Sequence, residues 1–194
     1  MGDWTDAVEA LVSGKIAGLD AAAVAARWAW VPELGARAAE LLDPTRLRAR
    51  PPEMVYDDLR RLGIAQCPIR LTNLGRANEA ERIVESLSRL LETPGGFAEK
   101  YRAAKFPQAG MVTITELLCV ARPARFICRS APFTRALAKV TPFYGYAALC
   151  EMGYEEFLDV CRVLAERLER SPSPGVAGLA ARWRYLFLYA VLMT

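Results

Sequence analysis

The chain predicts an all-α fold, and three observations carry that prediction. Apolar residues recur at helical spacing almost everywhere. Pro and Gly punctuate the periodic stretches and close most of them. Hydrophobic residues make up 53% of the 194 and charged residues 24%, which suits a substantial core in a water-facing protein.

Taken in order, Ala7, Val8, Leu11 and Val12 outline a short first helix closed by Ser13-Gly14. Asp20 is placed to cap an Ala-rich segment that runs to Trp30. Pro32 opens a helix over Glu33 to Leu42, because proline is tolerated in a first turn, and Asp43-Pro44 stops it. Residues 44–52 read as a linker carrying Arg46, Arg48 and Arg50: either a phosphate-contacting arm or a solvated loop. Glu53 to Leu62 is helical, with Met54, Val55, Leu59 and Leu62 on one side and Gly63 as the stop. Pro68 makes 64–74 irregular or briefly extended. Asn78 to Leu91 is the cleanest amphipathic helix, with Ile83, Val84, Leu87, Leu90 and Leu91 opposite Glu81, Arg82, Glu85, Ser88 and Arg89.

Thr93-Pro94-Gly95-Gly96 is the natural divide between an N-terminal half, 1–92, and a C-terminal half, 97–194. The halves form one compact multi-helix unit or two helical lobes. Short helices follow at Phe97 to Lys105 and Thr113 to Ala121, where Thr113 and Glu116 have capping-box spacing. Pro132 starts a helix through Val140, and Phe143 to Met152 holds another. Tyr154 to Arg170 is long and periodic, with Phe157, Leu158, Cys161, Leu164, Ala165 and Leu168 inward. After the linker at 171–175, Val176 to Met193 is apolar on nearly every side, which makes it either a central core helix or an interface.

Composition narrows the chemistry. There is no histidine, which excludes Ser-His-Asp and Cys-His nucleophile systems and removes the commonest general base and metal ligand. The five cysteines show no Cys-x-x-Cys spacing, so no zinc site is expected. Their odd number, with no basic-then-apolar leader, points to a reducing cytoplasm. The longest apolar run, Tyr185 to Met193, is short of a membrane span of about 20 residues. Net charge is +3, a mild basic bias. The cations are 21 Arg against 4 Lys, which reflects either phosphate recognition or the codon usage of a GC-rich genome. Asn and Gln number two each, a thermophile-like scarcity.

One stretch points to function. Pro107-Gln108-Ala109-Gly110-Met111 reads as a tight turn feeding the apolar helix Ile114 to Ala121. Such a turn lets backbone N–H groups and a helix N-terminus approach a phosphate. Here the chain resembles the helix-hairpin-helix DNA glycosylase superfamily. Phe106, Pro107, Gly110 and Thr113 match positions of that family's Leu-Pro-Gly-Val-Gly-x-x-Thr-Ala pattern, with Gln108 in place of the first glycine. No Asp stands between Arg125 and Leu137, where the resemblance places a catalytic carboxylate, and Lys139 comes too late to be the catalytic lysine. The resemblance therefore implies a scaffold without the enzyme. Arg122, Arg125, Arg129, Arg135 and Lys139, near Phe126 and Phe133, suggest a basic face for single-stranded nucleic acid; otherwise the rings are core and the arginines solvated.

The expectation is a non-catalytic nucleic-acid binder without cofactor. It would touch the DNA or RNA backbone through Gln108, Gly110, Thr113, Arg122, Arg125, Arg129, Arg135 and Lys139. The alternative is a scaffold subunit that self-associates or meets a protein partner through Trp183 to Met193.

Overall fold

Local capping chemistry sets where several of the helices begin. In the computed structural model of the protein, residues 14–16, 18–62, 79–104, 106, 109–141 and 143–194 are described. The expected helix at 7–12 and the stretch 64–74 lie outside them. The described residues contain eleven α-helices and no strand. They are α1 (Ala21–Arg27), α2 (Trp30–Leu41), α3 (Pro44–Ala49), α4 (Pro52–Arg61), α5 (Ala80–Glu92), α6 (Phe97–Ala104), α7 (Met111–Ala121), α8 (Ala131–Val140), α9 (Tyr146–Glu151), α10 (Tyr154–Glu169) and α11 (Pro174–Met193). Asp20, Asp43 and Ser130 cap α1, α3 and α8, each side-chain oxygen accepting from a backbone N–H three residues on.

Two compact units result: an inserted unit, 33–122, and a terminal unit made of 1–32 and 123–194. Thr93–Gly96 therefore joins two helices of one unit, α5 and α6, which pack together. Gly95 is required in that turn. Its φ is +99°, and a Cβ there would lie 3.1 Å from the Glu99 side chain.

In the inserted unit, α5 buries Ile83, Val84, Leu87, Leu90 and Leu91, and packs against α3, α4 and α6. Lys100 of α6 is buried, and its ammonium donates to the carbonyls of Leu90, Leu91 and Thr93. A cation thus satisfies the orphan carbonyls at the C-terminus of α5. Residues 44–49, expected as linker, are helical instead. Asp43-Pro44 is an N-cap followed by a first-turn proline, so the pair that stops one helix also starts the next. Apolar spacing carries no sign of this helix, because only Leu47 of its six residues is buried. Nor does Thr113 cap α7. Gly110 takes the N-cap, and both Thr113 and Glu116 are buried within the helix.

In the terminal unit, α11 packs on α1, α8 and α10. Trp28 meets Phe187 edge-on at 5.4 Å; Phe133 stacks on Tyr189 at 5.4 Å and meets Phe157 at 6.2 Å. Each such aromatic pair adds about 0.5–1.5 kcal/mol beyond its buried area. α11 departs from helical geometry at Trp183. Two residues on, the Tyr185 N–H donates to the Pro123 carbonyl at 2.8 Å. An acceptor from another segment replaces an intrahelical one, an identifiable cause for the kink. Among the described residues, α11 alone is long and apolar enough to cross a membrane by length and composition; 61% of its apolar window is buried within the chain. Arg184 points from it to Glu169 of α10 in a two-pronged ion pair, at 2.6 and 2.9 Å. That bond holds the guanidinium above its usual pKa.

Candidate nucleic-acid interface

The expected site residues divide between the units: Gly110, Thr113 and Arg122 belong to the inserted unit, and Arg125, Arg129, Arg135 and Lys139 to the terminal one. Gln108 and Pro107 lie outside the described residues. Gly110 is exposed with φ −74°, and a Cβ there would meet nothing within 4 Å. Neither strain nor packing within the described chain demands a glycine at that point. Arg122 is exposed and donates to the Ala121 carbonyl. Thr113 is only 6% exposed, which withdraws its hydroxyl from a surface role.

Arg129 departs furthest from the sequence-based expectation. It is 9% exposed rather than displayed. Its guanidinium donates to the carbonyls of Leu149 and Cys150, at 2.8 and 3.0 Å, and lies 4.9 Å from the centre of the Phe157 ring. It acts as a C-terminal cap for α9, matching a cation to carbonyls at the negative end of a helix. Phe126 and Phe133 are core rings.

Arg125, Arg135 and Lys139 remain exposed. Arg125 covers the Phe126 ring at 5.6 Å. On α8, Arg135 lies 5.4 Å from the centre of the Tyr146 ring, which is 38% exposed at the start of α9. Between the two helices, Phe143 is 45% exposed. The turn carrying it is held by Thr141, whose hydroxyl lies within hydrogen-bond reach of the Leu137 and Tyr144 carbonyls. Among the described residues, neither Arg135 nor Lys139 forms an ion pair.

The charge pattern explains this. From 117 to 150 the chain contains Arg122, Arg125, Arg129, Arg135 and Lys139 and not one Asp or Glu. That 34-residue gap in the acids is legible in the sequence and is a sharper signal than the arginine cluster itself. Two further cations cannot be inferred from spacing. Lys15 is more than a hundred residues from α8, yet its ammonium donates to the Val191 and Leu192 carbonyls at 2.9 and 3.2 Å. Arg27 donates to the Lys15 carbonyl and covers Trp28 at 5.1 Å. Burial, and then the charges of Arg27 and Lys139, pull Lys15 below the ordinary lysine pKa. A group disfavoured by like charges marks a local excess of positive potential.

The remaining candidate chemistry is sparse. Cys119, Cys128 and Cys161 are buried, and Cys150 is exposed. Among the described residues no group of three Cys, Asp or Glu side chains is arranged to hold a metal. The apolar segment expected to meet a partner is covered by the chain itself: Trp183 and Tyr185 through Leu192 are all buried. No protein-family model matches the chain, and neither does a curated protein or a solved structure.

Proposed function

We propose that the protein binds single-stranded nucleic acid without catalysis, on the α8–α9 surface of the terminal unit. The carrying observation is the conjunction of Arg135 and Lys139 with the exposed rings of Phe143 and Tyr146, in a stretch devoid of acids. Each half of that pairing does a separate job. Cations hold phosphate and release counterions, while exposed rings stack on unpaired bases, which duplex DNA keeps hidden. Lys15 and Arg27 extend the positive field toward the end of α11.

Fluorescence anisotropy tests the reading directly. Labelled single-stranded DNA, RNA of the same sequence and duplex DNA are titrated at two salt concentrations. Salt-sensitive binding that favours single strands over duplex supports the proposal. Equal or absent binding of single strands at low salt overturns it.

The scaffold alternative has less to stand on, because the apolar helix it relies on is buried in the single chain.

A further inference from the structure

The inserted unit has a cleft of about 450 Å³, within the range of small-ligand sites. Arg37, Arg46, Arg50 and Arg61 line it. Their counter-charges there are Glu40 and Asp58, which leaves the lining at four positive against two negative, or +2.

The pairing within the cleft is incomplete in a specific way. Arg46 meets Glu40 at 3.0 Å, with both side chains largely exposed. Arg50 pairs with half-buried Asp58, and Arg61 reaches the same carboxylate only at 3.8 Å. Arg37 donates to the Arg61 carbonyl, which ties α2 to the end of α4. One carboxylate is thus shared by two guanidiniums, and Arg37 has none among the described residues. Each guanidinium has about five N–H donors, so the four together carry many more than two carboxylates and a carbonyl take up. Leu41 and Leu62 give the cleft an apolar floor.

We infer that this cleft binds a small phosphate monoester with a compact organic body, of mononucleotide size. A phosphate monoester carries close to two negative charges at neutral pH, which complements the +2 lining. Its oxygens suit the forked donors of arginine, and its body covers the leucine floor. Arg46 and Arg61, the most exposed of the pairing arginines in the cleft, turn to the phosphate; Arg50 stays with Asp58.

The test is isothermal titration of the full chain in phosphate-free buffer at low salt. The probes are adenosine 5′-monophosphate, ribose 5-phosphate, inorganic phosphate and uncharged adenosine. Saturable one-to-one binding of the two esters is expected, at least tenfold tighter than adenosine or inorganic phosphate. The double variant Arg46→Ala, Arg61→Ala should weaken ester binding at least tenfold, with its urea midpoint near that of the parent because both side chains are exposed. The pair Arg135→Ala, Lys139→Ala should leave it unchanged. No saturable binding of either ester at millimolar concentration overturns the inference. So does equal binding by the Arg46/Arg61 variant, or a loss confined to the Arg135/Lys139 variant. The last result would assign the ester to the α8–α9 surface and leave the single-strand reading standing on its own.

Discussion

In the inserted unit, away from the cleft, Arg48, Arg89 and Arg102 each face a carboxylate: Glu92, Glu85 and Glu99. In the terminal unit the α8–α9 surface shows Arg135 against a tyrosine ring and Lys139 beside other cations. The same kind of residue thus serves two ends. An arginine facing a carboxylate is locally neutralised and contributes little to the field around it. A cation set among rings, carbonyls and like charges keeps its field, and a phosphate approaching it need displace no acid. The number of basic residues in each unit does not reveal this; the placement of the acids decides it.

The comparison breaks most readily at Arg129, which lies in the acid-free stretch but serves structure rather than display. Arg129→Ala strands the Leu149 and Cys150 carbonyls and should cost about 2–4 kcal/mol in urea unfolding. Affinity per folded molecule should be retained. Near-parental stability combined with weakened binding would return Arg129 to the surface. Next in size, Arg135→Ala with Lys139→Ala should weaken single-strand binding by roughly tenfold or more. It should also flatten the log–log salt slope by about 1.4, since each phosphate that a cation neutralises on a single strand adds about 0.7. An unchanged slope removes α8 from the site.

A subtler check uses Lys15. While it is charged, its lowered pKa makes it a small liability to the folded state; the unfolded chain holds that proton more tightly. Its contribution to stability therefore improves as pH rises from its native pKa toward the ordinary 10.5. A bound polyanion relieves the repulsion, raises the pKa and draws in protons across that alkaline window. Binding heats measured there in buffers of different ionisation enthalpy should differ accordingly; identical heats would place the strand away from Lys15. The smallest effect belongs to the neutralised set. Arg89→Ala removes an exposed i,i+4 pair with Glu85 and should change stability by about 0.3–0.5 kcal/mol, with no change in nucleic-acid affinity.

What can be read from the sequence follows from the range of each signal. Asp20, Pro132 and the stripe of α5 are local patterns, and they place their helices within a few residues. Asp43-Pro44 is equally local but has two meanings, a stop and a start, and spacing alone shows only the stop. Gly110, not Thr113, is the N-cap, and a glycine cap leaves no side-chain signature to read. The partition into units is hidden for another reason. It depends on α1 packing against α11, which joins opposite ends of the chain. Lys15 enters the candidate site the same way, and Arg129 leaves it because burial is a property of the folded neighbourhood, not of spacing.

Tyr154 carries a last consequence. Its buried hydroxyl accepts from the Ile127 N–H at 2.9 Å and donates to the Ile127 carbonyl at 2.8 Å. One phenol thus satisfies both backbone groups of a residue that belongs to no helix. Irregular segments ordinarily exchange their amide protons quickly. This one should not, because releasing the Ile127 amide means withdrawing the first residue of α10 from the core. Its exchange should be slow, close to that of the α10 amides, and Tyr154→Phe should make it fast. The stretch leading into α8 would then report, through a single proton, whether the platform beneath the proposed binding surface has assembled.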